Sequence, residues 1–155
     1  MDILDTIRDD HDRMREMLES ILQADEFEMP GLRRPFNQLK LLFEAHSKAE
    51  EAVLYPLLIE FQEAREHILE AYEEHHVVDV LMGELSREQP DDRERWLAKL
   101  SVAGTLLQYH IDEEEGASFE IAQEVMSEEQ LQQLTETFLQ QKEIVKLSLR
   151  SDIAA

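Results

Sequence analysis

At 155 residues, the chain is long enough for a single domain with a buried core. It carries 36 acidic against 15 basic residues, and the formal net charge of -21 argues against nucleic acid or an anionic membrane as a partner. The absence of cysteine excludes disulfides and thiolate metal sites.

The apolar segments of the sequence indicate a cytoplasmic protein. The opening residues, MDILDTIRDD, lack the basic and then apolar pattern of a signal peptide. The longest apolar run, residues 52–59, has eight residues, whereas a membrane-spanning helix needs about 20. We therefore expect a cytoplasmic location and no membrane partner.

Hydrophobic periodicity predicts five helices. The first four cover residues 2–24, 32–60, 62–87 and 92–125. The fifth begins at Ser127, where the sequence SEEQ forms a capping box. Asp91 or Asp92 is expected to cap the fourth helix, and residues 25–31 are expected to form a loop. Pro56 lacks a backbone N–H, so the second helix should kink or end there.

Each of the first four helices has an apolar stripe that polar residues interrupt. The first stripe comprises Leu4, Ile7, His11, Met14, Leu18 and Ile21, and the third comprises Ile68, Ala71, His75, Val78, Met82 and Leu85. The second comprises Phe36, Leu39, Phe43, His46, Glu50, Val53 and Leu57, and the fourth comprises Leu100, Ala103, Leu107, His110, Glu114, Ala117 and Ile121. The third and fourth stripes therefore repeat the first and second at an offset of 64 residues.

This repeat predicts the fold. Two αα-hairpins of one register should pack as an all-α, antiparallel, up-and-down four-helix bundle with an additional C-terminal helix. We assign residues 1–125 to the bundle and residues 126–155 to a helical extension. The extension is expected to pack on the bundle or on a partner subunit, and a homodimer could form through it.

The polar residues in the stripes predict a metal site. A buried carboxylate without a partner costs several kcal/mol, so two glutamates and four histidines at matching depths call for a compensating cation. Residues four apart share a helix face, which lets His46 and Glu50, or His110 and Glu114, reach one centre. The candidate ligands are His11, His46, Glu50, His75, His110 and Glu114. The simplest arrangement has two metals, each with two histidines, and glutamates that bridge or divide between them.

The sequence is also compatible with other metals and other ligands. Oxygen and imidazole donors without sulfur suit iron, manganese or zinc. The pair Glu73 and His76 forms the Glu-x-x-His motif of ferritin-like di-iron bundles, but it occurs once and lies off the stripe. The remaining candidates for a supporting or direct role are Asp79, Glu51 and Glu115. Two further acids, Asp10 and Glu74, could orient imidazoles, although we interpret them as solvated surface residues.

The ordered motifs resemble those of the hemerythrin-like HHE cation-binding family. They are DDH at residues 9–11, HSKAEEAVLYP at 46–56, EEHHVVDVLMGEL at 73–85 and HIDEEEGASF at 110–119. The resemblance covers about residues 1–125. It implies a four-helix bundle that holds two non-haem iron ions bridged by carboxylates, with the same six residues as ligands. Manganese or zinc is less favoured.

The resemblance implies binding or sensing of dioxygen or a related small ligand, so a diatomic molecule or peroxide is the expected partner. Oxygen-carrying members have a further histidine four positions after the third-helix histidine, where this chain has Asp79. An alternative is a redox enzyme that removes peroxide or nitric oxide, or an iron-handling protein. Candidate redox tyrosines are Tyr55, Tyr72 and Tyr109. Zinc-dependent hydrolysis ranks below these.

Overall fold

A computed structural model describes residues 1–25, 31–88 and 92–154, and these ranges contain helices and no strand. The helices are α1 (Ile3–Leu22), α2 (Arg33–Val53), α3 (Tyr55–Leu58), α4 (Gln62–Arg87), α5 (Arg93–Glu113), a π-helical turn (Glu114–Ser118), α6 (Phe119–Val125) and α7 (Glu128–Ala154). The predicted all-α class is confirmed. None of the helices in these ranges combines the length and hydropathy that a membrane span requires.

Three of the described helices, α1, α5 and α7, begin at side chains that cap their free N–H groups. Asp2 and Asp5 form a capping box at the start of α1. Asp92 accepts a hydrogen bond from a backbone N–H in the first turn of α5, at 3.1 Å. Ser127 and Gln130 bond each other's backbone N–H at the start of α7, as the SEEQ motif predicts. Residues 26–30 of the predicted loop and residues 89–91 lie outside the described residues.

The four long helices of the repeat are neighbours in a ring. Helix α1 contacts α2 and α5, and α4 contacts the same two helices. This is the contact pattern of a helical bundle. The helices of each half of the repeat are therefore in contact, as the pairs α1–α2 and α4–α5.

Buried apolar side chains form two clusters in the bundle. One includes Met14, Phe43, Val78 and Leu107. The other includes Ile7, Ala49, Ala71 and Phe119. On α1, His11 lies between Ile7 and Met14, and on α2, His46 lies between Phe43 and Ala49. A polar layer therefore separates the two clusters, and ionisable groups in it lose most of their hydration.

Both halves of the repeat interrupt helical geometry just after the glutamate of the stripe. Helix α2 ends at Val53, and the short α3 that follows contains Pro56. In the second half, a π-helical turn begins at Glu114 itself. The predicted kink or end of the helix at Pro56 is present. The π-helical turn contains no proline, and the sequence did not predict it.

These interruptions shift the buried face by one residue. Leu57, predicted to lie in the core, is 42% exposed, and Ala117 and Ile121 are half-buried. The buried residues in these turns are Leu54, Tyr55, Leu58, Ser118, Phe119 and Ala122. The two sets of three still match at the offset of 64. Val53 is buried as the stripe predicts. The prediction was wrong for Leu57 and only partly right for Ala117 and Ile121, because it assumed unbroken helices.

Helix α7 packs against α1 and α2 of the same chain. Its buried contacts come from Leu131, Phe138 and Lys142, which are 2%, 0% and 6% exposed. Its outer face keeps exposed apolar residues, including Leu139 and Ile144. Any homodimer through this helix would therefore have to use the outer face, and the homodimer stays a prediction.

Candidate metal centre

The structure brings the six predicted site residues together in the polar layer. Each is at most 4% exposed. Helices α1, α2, α4 and α5 each contribute one histidine, and the glutamates follow on α2 and on the π-turn after α5. The six residues are His11, His46, Glu50, His75, His110 and Glu114.

Their nitrogen and oxygen atoms form two overlapping groups. Within each group the potential ligand atoms lie within 4.8 Å of one another. The first group comprises His11, His46, Glu50 and Glu114, and the second comprises Glu50, His75 and His110. The histidines therefore divide into two pairs, each drawn from two different helices, and Glu50 belongs to both groups.

Each glutamate turns one oxygen toward each histidine pair. Glu50 places Oε1 2.9 Å from His46 Nε2 and Oε2 3.2 Å from His75 Nε2. Glu114 places Oε1 3.3 Å from His11 Nε2 and Oε2 3.7 Å from His110 Nε2. Each carboxylate therefore reaches from the His11–His46 pair to the His75–His110 pair.

Several of these atoms are buried without a hydrogen-bond partner, although they lie close together. They are His11 Nε2, His46 Nε2, Glu50 Oε1 and Glu114 Oε1. Buried polar atoms normally have partners. Four such atoms that converge without bonding one another fit a shared cation, because ligand atoms point at the ion rather than at each other. The donor set of the described residues therefore fits a metal site.

A carboxylate outside this cluster faces the Nδ1 atom of each histidine. Asp10 lies 3.0 Å from His46 Nδ1, and Glu74 lies 2.9 Å from His110 Nδ1. Glu115 lies 2.8 Å from His11 Nδ1. Glu51 lies 3.8 Å from His75 Nδ1, which is beyond hydrogen-bond distance. A carboxylate at Nδ1 favours the proton there and leaves Nε2 free to bind a metal.

These outer carboxylates also follow the repeat. Asp10 and Glu74 are 64 residues apart, as are Glu51 and Glu115. Our interpretation of Asp10 and Glu74 as solvated surface acids was wrong: Asp10 is 3% exposed, and the Glu74 side chain is 18% exposed. The histidine on the neighbouring helix draws each of them inward, which a one-helix stripe cannot reveal.

Tyr55 also lies at the centre, although it is not part of the apolar stripe of α2. Its hydroxyl donates to Glu50 Oε2 at 3.1 Å and to Glu114 Oε2. It also lies 3.3 Å from His75 Nε2. Burial and the charges of both glutamates raise the pKa of Tyr55 well above its usual value, so the hydroxyl is a proton donor at neutral pH. Its repeat counterpart, Phe119, has no hydroxyl. This tyrosine-for-phenylalanine difference between the two halves is the one feature of the sequence that could have pointed to Tyr55.

The other candidates lie outside the centre. Glu73, His76 and Asp79 are exposed, so none of them lies with the buried cluster. The apolar wall consists of the buried residues Met14, Phe43, Val78 and Leu107. Phe43 sets its ring edge against His75, with ring centroids 6.0 Å apart. Such a wall limits water around the polar layer.

In the absence of metal, protons compensate the buried charges. Burial lowers the pKa of His46, but the Glu50 charge and the hydrogen bond to Asp10 outweigh it and raise the pKa to about 10. Burial also opposes protonation of His75, yet neighbouring glutamates raise its pKa to about 9. Burial would raise the pKa of Glu50, whereas the neighbouring charge of His46 holds it well below its usual range. Metal binding must displace these imidazole protons.

These shifts predict a pH dependence for the metal-free protein. A histidine in the unfolded chain titrates near pH 6.5, whereas the pKa values of His46 and His75 in the folded protein are raised to about 10 and about 9. Their contribution to the free energy of unfolding is therefore complete below pH 6.5. It is lost as the pH rises through about 9 and about 10. The lowered pKa of Glu50 has the opposite pH dependence: its contribution to stability is present above about pH 4.5 and is lost as the pH falls below that value. We expect the Tm of metal-free protein, followed by circular dichroism, to fall between pH 6.5 and 9.5. A loss of ~1 kcal/mol would lower it by about 2–4 °C.

The neighbouring histidine provides the control. His76→Gln removes an exposed imidazole beside His75 and should leave the slope unchanged. A double variant, His46→Gln with His75→Gln, should flatten it. A wild-type Tm that stays constant or rises over this range contradicts the assignment.

Comparisons with known proteins identify the family of the chain. The model of the hemerythrin HHE cation binding domain matches residues 2–122. A solved structure, the hemerythrin HHE cation binding domain-containing protein from Mycobacterium kansasii, is similar with a TM-score of 0.82 and 21% identity, over 100% of this chain and 93% of that one. That likeness shows the fold. A comparison with curated protein sequences finds no significant match. The family model spans most of the chain, and the chain therefore belongs to the hemerythrin HHE cation-binding domain family.

Proposed function

We propose that this protein holds two non-haem iron ions and uses them to bind or sense dioxygen or a related small ligand. The observation that carries the proposal is the geometry of Glu50 and Glu114. Each has one oxygen near each of two histidine pairs. Two positions that share two carboxylates are what a pair of bridged metal ions requires.

The proposed ligand assignment follows from these contacts. His11 and His46 would hold one iron, and His75 and His110 would hold the other. Glu50 and Glu114 would bridge the two ions. Imidazole and carboxylate donors suit iron, and they also accept manganese or zinc, which we favour less. When bound, the iron pair would supply redox chemistry and an open position for a small ligand.

The finer fold proposed with this site is an antiparallel up-and-down bundle. Helix α1 passes from the cluster of Ile7 to that of Met14, and α2 passes back from the cluster of Phe43 to that of Ala49. Helix α4 runs as α1 does, from Ala71 to Val78. Alternating directions of this kind support antiparallel neighbours, which bring one histidine per helix to the same depth.

The protein's own groups would prepare the site. The outer carboxylates hold three of the imidazoles with Nε2 inward, and Tyr55 donates to an oxygen of each bridging carboxylate. A phenol that bonds these oxygens fixes their orientation and withdraws some of their charge. The apolar wall around Phe43 would exclude water from a ligand bound there.

The alternative is a di-iron redox enzyme that removes peroxide or nitric oxide. Tyr55 favours this candidate, since its phenol lies among the proposed ligands and its ring contacts Tyr72 with centroids 5.3 Å apart. Tyr72 is half-buried, so the two rings would connect the site with the surface. An iron-handling role would use the same ligands.

Metal uptake tests the ligand set. We expect wild-type protein, reconstituted without oxygen, to bind two ferrous ions per chain, and His46→Ala or Glu114→Ala to lose one or both. The matched control, His76→Ala, should bind as the wild type does because His76 is exposed. Loading should raise the Tm of wild type and control, since a free metal concentration about 1,000-fold above Kd adds about 4 kcal/mol. Equal uptake by all four proteins would contradict the assignment.

Exposure to dioxygen tests the proposed ligand. Oxygen added to the ferrous protein should produce a near-ultraviolet ligand-to-metal charge-transfer band, and Glu114→Ala should not produce it. Catalytic loss of peroxide or nitric oxide, abolished by His46→Ala and Glu114→Ala, would favour the enzyme instead. An iron-loaded wild type that gives neither a band nor turnover would exclude both functions.

A further inference from the structure

Helix α7 lies outside the internal repeat, yet two of its buried side chains contact the polar layer. Phe138 and Lys142 are one helical turn apart and are 0% and 6% exposed. The ring of Phe138 meets His46 edge-on, with centroids 5.9 Å apart. Lys142 Nζ lies 2.7 Å from Asp10 Oδ1. The C-terminal helix therefore touches one histidine directly and its carboxylate partner as well.

The two oxygens of Asp10 have different partners. Oδ1 accepts from Lys142, and Oδ2 faces His46 Nδ1 at 3.0 Å. Both are charge-assisted contacts in a buried setting, where they are stronger than in water. Lys142 Nζ also lies 5.6 Å from the centre of the Phe138 ring. A continuous path thus runs from Lys142 through Asp10 to His46.

The other half of the repeat has no equivalent of this lysine in the described part of the chain. Glu74, the counterpart of Asp10, faces His110 Nδ1 at 2.9 Å. It forms no ion pair with a lysine or arginine within the described ranges, and its side chain is 18% exposed. Helix α7 covers α1 and α2, whereas Glu74 lies on α4. The symmetry of the repeat is therefore broken at this contact.

We propose that Lys142 is a positioning residue for one of the two metal ions, the one assigned to His11 and His46. It holds Asp10 in place, and Asp10 holds His46 with Nε2 toward the metal. This inference rests on the proposed metal binding and adds to it a specific dependence on α7. One metal position is thereby coupled to the docking of the C-terminal helix, and the other is not.

The direction of the effect follows from the contacts. Without Lys142, Asp10 Oδ1 loses its donor, and Asp10 lies in a place where it is only 3% exposed. A buried acceptor without a partner is costly, so the side chain would rotate toward water or a new donor. His46 would then lose the acceptor that fixes its ring. Loss of a partner that orients a metal ligand lowers metal affinity by roughly 10- to 100-fold. Because Lys142 acts on His46 only through Asp10, we expect its loss to lower the affinity by about 10-fold.

Release of ferrous iron to a chelator tests the proposal. Wild-type protein loaded anaerobically with two ferrous ions should release them in two resolvable steps. Lys142→Met should accelerate one step roughly 10-fold, while Lys142→Arg, which keeps a cation at this position, should resemble the wild type. Glu74→Gln should accelerate the other step. Lys142→Met combined with Asp10→Asn should release iron as Asp10→Asn alone does, because Lys142 acts through Asp10.

Controls separate this effect from loss of folding. Lys48→Met removes an exposed lysine of α2 and should release iron as the wild type does. Circular dichroism and the metal-free Tm of each variant report folding, and Lys142→Gln replaces the methionine variant if that one does not fold. If Lys142→Met releases iron at the wild-type rate, or if both steps are accelerated equally, the inference is overturned and the proposed function stays intact. A wild type that takes up no iron would overturn both.

Discussion

Four histidines and two glutamates are buried between two apolar clusters, and the other features of the structure follow from this burial. Each of these residues is at most 4% exposed, so its charge must be compensated inside the protein. Protons can do this, as the raised pKa values of His46 and His75 show. The unpartnered atoms that converge from both halves fit metal ions better, because an ion satisfies several of them at once.

The departures from regular helix geometry lie next to the same polar layer. A helix break follows Glu50, and a π-turn begins at Glu114. Each shifts the following turn by one residue, which buries Tyr55 in the first half and Phe119 in the second. Since only the tyrosine has a hydroxyl, one turn delivers a hydrogen-bond donor to both glutamates and the other delivers an apolar ring. Irregular helix turns of this kind are frequent at functional sites.

Much of this arrangement could be predicted from the sequence because it depends on periodicity. The offset of 64 residues selected His75 over the adjacent His76, and the structure places His75 in the centre and His76 at the surface. The inward position of Asp10 could not be read in the same way, since it depends on His46 of a neighbouring helix and on Lys142, which is 132 positions away. The π-turn was missed because no proline or glycine pattern marks its first residue.

In the proposed centre, two metal ions would share Glu50 and Glu114. Anomalous diffraction at the iron edge, from crystals of anaerobically loaded protein, tests it most directly. We expect two peaks within the polar layer. One should be contacted by His11 and His46 and the other by His75 and His110, with both carboxylates between them. A single peak, or a peak held by Glu73 and His76, would contradict it.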